Sequence, residues 1–396
     1  MSAPVTIDRP DDTLISETAP PASQALSGLL LLACALVALL WANSRWADAY
    51  HAFTHLPIAG TTLGHAINDG LMAIFFLLVG LEIKHELQDG ALSTVRRATL
   101  PVVGAIGGMV LPAFIYLAVA RGTDAAPGWG IPMATDIAFA LGIVALLGDR
   151  VPAGLRIFLA ALAIADDIGA VLVIAIFYTP SVNVAALAIS VALLGVLFLL
   201  NARHVHQVWP YGLLGVALWW AVYASGVHAS IAGVLLAFTI PARGSDCVQS
   251  RIEHALHTPV SYGIVPLFAL ANAGVTLPPD VVQFTQQPAV LATTLGLVIG
   301  KPLGIFSAAW LAVRLRLADL PQDSDWQRVL GVATLGGIGF TMSLFIAGLA
   351  FGEGAQLDAA KIGVLAGSLL TGIGGALLLA RQARAGVATL EPTLAR

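Results

Sequence analysis

Apolar runs of membrane-spanning length recur from end to end of this 396-residue chain. About 20 residues cross the hydrocarbon core as a helix, and in lipid the backbone must satisfy its own N–H and C=O groups, which leaves helices or closed barrels. Runs at 25–43, 64–84, 98–120, 130–148, 154–178, 183–200, 209–223, 228–241, 256–276, 289–313, 327–351 and 360–380 are separated by polar or Pro/Gly breaks. None alternates apolar with polar positions as barrel strands do. The expectation is an all-α polytopic membrane protein of about twelve transmembrane helices. Composition agrees: 58% of residues are hydrophobic and 11% charged, whereas soluble domains run to about 25% charged. The net charge of -4 and the lack of a basic run argue against nucleic acid. Cys34 and Cys247 lie far apart and imply neither a disulfide scaffold nor a metal cluster.

Residues 1–24 are polar and Pro-rich, without the basic start and small-residue cleavage site of a signal peptide. They read as a disordered cytoplasmic tail ahead of a retained first span. With the amino terminus inside, lysines and arginines fall on the cytoplasmic side except for Arg45, Arg121 and Lys361 outside and Lys301 within a span. This bias supports an even number of spans with both termini in the cytoplasm.

Two spans are interrupted. Span four carries Pro132, Thr135 and Asp136 at its opening, and span eleven carries Gly336, Gly337 and Gly339, each glycine weakening a helix by about 1 kcal/mol. Each is the middle member of a trio, spans three to five and ten to twelve. Interruptions at matching places in two halves predict inverted-topology repeats around a midplane binding site.

Span five holds Asp166 and Asp167 side by side among Ala161, Ala165 and Gly169. One ionisable group at the bilayer centre costs roughly 2.5–3.5 kcal/mol, so a chain that keeps two there uses them. Adjacent helical residues diverge by about 100°, so one carboxylate can face a cavity while the other turns to a neighbouring helix. Desolvation and mutual repulsion oppose simultaneous ionisation, and the pair titrates as one coupled unit. Carboxylate and carbonyl oxygens suit small hard cations. Protons and cation then compete for one site, and that competition is itself exchange. Lys301 can pair with Asp166 or Asp167, offset the negative ends of interrupted helices, or snorkel to an interface. Asp136 can offset positive helix N-termini, and Thr135 offers neutral oxygen ligands. Two adjacent acids against one buried lysine leave a negative surplus that a purely structural role does not explain.

The stretches Ala134–Gly142, Ala163–Gly169, Gly226–Ala229, Ile299–Gly304 and Gly337–Ser343 closely resemble bacterial sodium–proton antiporters of the NhaA type, in order, over about residues 25–380. That family is itself one in which inverted repeats are known. The resemblance implies a core domain of repeats 98–180 and 286–382 with crossed, interrupted helices four and eleven, and interface helices at 25–97 and 181–285. It implies Asp166, Asp167 and Thr135 as the cation- and proton-binding group, Na+ lying at Asp166 and Asp167 with Asp167 the more direct ligand. Asp136 and Lys301 are implied as charge-compensating residues. It further implies a pH-sensing cluster of Glu82, Lys84, Glu253, His254 and His257, in which His85 stands where the well-studied members carry Arg. His228 matches a family histidine, for which a hydrogen-bonded structural role is the plainer expectation.

The outer segment 43–64 resembles the family's short β-hairpin at a homodimer interface, and the tail 383–396 is expected in the cytoplasm. The expected function is an electrogenic, pH-regulated Na+ or Li+/H+ antiporter of the bacterial inner membrane, with no cofactor and no enzymatic activity. Two other readings use the same residues. A sodium-coupled transporter of an organic anion would share the fold. An intramembrane aspartyl protease would use Asp136 with Asp166 or Asp167, but adjacent acids beside a buried lysine make a poor dyad and no Gly-x-Gly-Asp stretch occurs.

Overall fold

The computed structural model describes residues 21–390 apart from 59, 180–181, 243–246, 278–279 and 281–283. Residues 1–20 of the expected amino-terminal tail and 391–396 of the carboxy-terminal one lie outside the described residues. Helix α1 (Pro21–Ala42) takes in the last residues of the expected tail 1–24, and the last helix runs to Leu390, into the expected tail 383–396.

Among the described residues the chain is almost entirely helical, as continuous apolar sequence in lipid demands. Eight helices are long and apolar enough to cross a membrane, and a bent pair makes a ninth crossing. After α1 come the short helix α2 (Ala47–Thr54), α3 (Leu63–Gln88), α4 (Val95–Ala120), α5 (Ile137–Leu147), α6 (Ala153–Phe177) and α7 (Val184–Ala202). The next three expected spans are helical but shorter or more polar. Helix α8 (Val208–Ala224) has 17 residues and α9 (Ile231–Thr239) has 9. The segment made of α10 (Val248–Pro259), a π-turn and α11 (Val265–Asn272) opens on Arg251, Glu253, His254 and His257. Helix α12 (Pro288–Arg314), the bent pair α13 (Trp326–Leu335) and α14 (Phe340–Phe351), and α15 (Ala355–Leu390) complete the chain. The segment between α2 and α3 holds a two-stranded antiparallel hairpin, Pro57 opposite Thr62 and Ile58 opposite Thr61.

Helix α6 sits at the centre: 67% of its most apolar stretch is buried within the protein, against 11% for α7. An apolar helix can face lipid as readily as protein, but two acids cannot face lipid cheaply, and α6 buries Asp166 and Asp167 together with Leu155, Leu159, Leu162 and Val171. Two close approaches hold its surroundings. A side chain on Gly107 of α4 or Gly304 of α12 would run into the other's backbone. Likewise a side chain on Gly233 of α9 would meet the Ala73 carbonyl of α3. Small residues at such crossings let backbones touch, which is how membrane helices gain packing energy without a hydrophobic driving force. A π-turn, Gly296–Gly300, lies immediately ahead of Lys301 in α12, and its extra residue re-aims the side chains of the next turn.

Candidate functional site

Helix α5 is preceded by a 3-10 turn, Ala126–Met133, and by extended backbone at 134–136. Helices α13 and α14 are bent by 46° across residues 336–339. The two breaks meet, and each satisfies the other. The Asp136 N–H donates to the Ile338 carbonyl at 2.7 Å, the Thr135 hydroxyl donates to the Gly336 carbonyl at 2.9 Å, and the Ser343 hydroxyl donates to the Ile131 carbonyl at 2.6 Å. Non-helical backbone survives at membrane depth only where protein supplies such partners.

Asp136 sits between two helix starts. Its Oδ1 accepts the Phe139 N–H of α5 at 2.9 Å, and its Oδ2 accepts the Thr341 N–H of α14 at 3.0 Å and the Thr341 hydroxyl at 2.5 Å. One carboxylate thereby faces the positive ends of both second half-helices. Lys301 serves the opposite polarity. Its ammonium donates to the Met133 carbonyl, the last residue of the 3-10 turn. The two halves also end alike, at glycines with positive φ: Gly148 after α5 and Gly352 after α14.

Lys301 and Asp166 form an ion pair at 2.6 Å, both completely buried. Burial of the ammonium rules out snorkelling, and of the two partners open to Lys301 it takes Asp166. Asp167, 1% exposed, stands beside the pair within the fields of Asp166, Asp136, Glu82 and Lys301. Among the described residues no group donates to Oδ1 of Asp166 or Oδ1 of Asp167. Thr135 lies against Asp166 and interacts with it through side chain and backbone, while its hydroxyl also donates to the Gly336 carbonyl. Buried acceptors without donors are costly. Three carboxylates against one ammonium carry surplus negative charge that protons or a small hard cation would offset.

Residues 21–379 match the family model described as Na+/H+ antiporter 1. The chain belongs to that family. It is 50% identical over 370 residues to the Na(+)/H(+) antiporter NhaA of Caulobacter vibrioides, covering 91% of this chain and 90% of the relative. It is 49% identical over 368 residues to the NhaA of Rhizobium etli, covering 90% and 94%. Among solved structures it resembles the sodium proton antiporter MjNhaP1 from Methanocaldococcus jannaschii at pH 8, with a TM-score of 0.52, 15% identity and 90% of each chain covered. At that identity the likeness concerns the fold. As a family member the chain is a multi-pass bacterial membrane protein and a secondary transporter, not an enzyme.

In this Na+/H+ antiporter 1 chain the residues named for pH response separate into two settings. Glu82, half-buried on α3, lies in the electrostatic field of Glu253 and Glu86 and itself acts on Asp167. His254 is exposed and the half-buried His257 stands close to it. Lys84 differs. It is buried, and its ammonium donates to the carbonyls of Ala237 at 3.4 Å, Phe238 at 3.3 Å and Ile240, which caps the negative end of α9. His228 is tied structurally: its Nε2 lies 2.6 Å from the Tyr178 carbonyl. Sequence reasoning passed over Thr341, Ser343 and Ser368, whose hydroxyl accepts the Phe340 N–H at 3.0 Å. No local signal marks a cap supplied by a residue distant in the chain. The only pointer was that Thr341 and Ser343 follow the glycine cluster.

Proposed function

We propose that this chain is an electrogenic, pH-regulated antiporter of the bacterial inner membrane. It exports Na+ or Li+ in exchange for two protons per cation, by alternating access, for sodium and pH homeostasis. The observation that carries the reading is the pair Asp166–Asp167, buried in the most enclosed helix, each with an oxygen that no described donor reaches. Asp167, Asp166 and the Thr135 oxygen take the cation, which competes with protons for both acids and with Lys301 for Asp166. Asp136 and Lys301 hold the charge balance at the crossed ends. Glu82, Glu253, His254 and His257 supply pH response at the cytoplasmic mouth, since acids beside histidines move a His across neutral pH. Both termini face the cytoplasm, and the hairpin at 57–62 joins two copies in a homodimer within the lipid.

Reconstituted vesicles with an internal pH dye test the assignment. Sodium is expected to drive proton movement in the unaltered protein, and Asp166→Asn or Asp167→Asn to abolish it while the protein stays folded. Normal sodium-driven exchange by either variant would remove that residue from the site. Stoichiometry is tested separately: two protons against one cation move net charge, so an imposed membrane potential should speed exchange in one polarity and slow it in the other. A rate indifferent to potential would make the exchange one for one.

A further inference from the structure

Helix α14 starts at the crossing with no cap of its own. Its N-cap residue is Gly339, and a side chain there would strike the Ser343 hydroxyl and approach Leu297 at 2.9 Å. The local solution, a Ser, Thr, Asp or Asn side chain folding back on the first turn, is therefore closed. Two groups from elsewhere take its place. Asp136 Oδ2 accepts the Thr341 N–H, and the Ser368 hydroxyl of α15 accepts the Phe340 N–H at 3.0 Å. Ser368 is 6% exposed, and Phe340 is buried. No solvent replaces this acceptor if it is lost.

We propose that Ser368 is a positioning residue for cation binding, acting through the start of α14. The linkage is short. Ser368 fixes Phe340; its neighbour Thr341 grips Asp136 by both N–H and hydroxyl; Asp136 follows Thr135, whose hydroxyl is anchored to Gly336 and which lies against Asp166. Without the serine, the Phe340 N–H is an unmet donor one residue from the N–H that Asp136 Oδ2 already accepts. That carboxylate is then drawn along the helix start, away from Phe139, and carries Thr135 out of place. Ser368 touches no ion itself, so its removal weakens cation affinity rather than turnover. The inference rests on the antiporter reading for its transport readout and on cation binding alone for a second one.

Purified Ser368→Ala, Ser368→Thr and Ser368→Cys proteins are compared with the unaltered chain. The transport readout is sodium-dependent proton movement in vesicles; the binding readout is the sodium concentration that gives half of the maximal thermal stabilisation. Ser368→Ala is expected to raise both the apparent KM and that half-point by about fivefold or more, up to about 150-fold, the scale of one buried donor left unmet, with maximal rate within about twofold. Ser368→Thr, which keeps the hydroxyl, is expected to restore both. Ser368→Cys, with a weaker acceptor, should fall between and serves where the alanine variant does not fold. Ser190→Ala, which removes a buried hydroxyl that donates to the Ala186 carbonyl of its own helix, should shift neither. A folded Ser368→Ala protein with unchanged sodium half-points overturns the proposal, even if it melts earlier, because the serine would then be structural only. Absence of sodium-driven proton movement in the unaltered chain would instead overturn the antiporter reading, with the binding half-point still deciding the role of Ser368.

Discussion

Lys301 and Asp166 bury opposite charges in contact, and the value of such a pair lies in its completeness. Removing one partner strands the other: breaking a buried pair costs about 3–5 kcal/mol, whereas replacing both partners with uncharged groups is often neutral. Lys301→Met should therefore lower the unfolding temperature of the detergent-solubilised protein more than Lys301→Met combined with Asp166→Asn. A double variant no more stable than the lysine variant alone would show that the ammonium serves the Met133 carbonyl more than the carboxylate. The same residue scale explains the split among the rim residues. Lys84 and Glu82 are two positions apart on α3, so they project in divergent directions, one onto the end of α9 and the other toward Asp167 and Glu253. A run of alternating charges in the sequence reads as one solvated cluster, but a helix deals its members to different neighbours.

At the scale of elements, the site exists because helices are brought to backbone contact at chosen glycines and interrupted at others. Gly304 has no room for a methyl group: it would meet the Gly107 carbonyl, which no rotamer change can move. Gly304→Ala is thus expected to push α12 from α4, displace Lys301 one turn before it, and cost about 1–3 kcal/mol as overpacking does. Thermal unfolding and sodium-driven exchange should both suffer. Gly195→Ala on α7, where no atom of the described residues lies within 4 Å of the added methyl group, should leave both unchanged. The interruptions were legible as Pro132 and the glycine cluster of 335–343, and the structure places them against each other. The π-turn before Lys301 was not read from the sequence, although Pro302 just after it lacks the N–H that would continue the helical ladder; Gly296 and Gly300 within it lie close to Pro132 and Pro112.

For the whole molecule, exchange by competition predicts a particular pH signature. A cation that must displace protons from the acids binds more weakly as pH falls, and each proton displaced contributes up to tenfold per pH unit. The apparent KM for Na+ should therefore climb steeply with acidification, by up to about 100-fold per unit where two protons compete, and level off at alkaline pH where both acids are already ionised. Initial rates of proton movement over a grid of pH and sodium concentration measure this directly. A KM flat with pH alongside a falling maximal rate would place pH control outside the binding pair, at the Glu82–Glu253–His254 rim.

The sequence by itself determined the class, the helical architecture and the identity of the charged core, because lipid forbids unpaired backbone and uncompensated charge, and both prohibitions are written in composition and position. Asp136, Asp166, Asp167 and Lys301 stand out among the apolar runs, and the hairpin at 57–62 was marked by resemblance though its strands are only two residues each. Tertiary structure alone decided the pairings: Lys301 with Asp166, Asp136 with two helix starts at once, Lys84 with the end of α9, Ser368 with the uncapped end of α14. Apart from the local cap of Asp136 on Phe139, each joins residues separated by tens to hundreds of positions. Their partners are fixed by which backbones can approach and which ends are left bare, and those are properties of the packed helices rather than of any one of them.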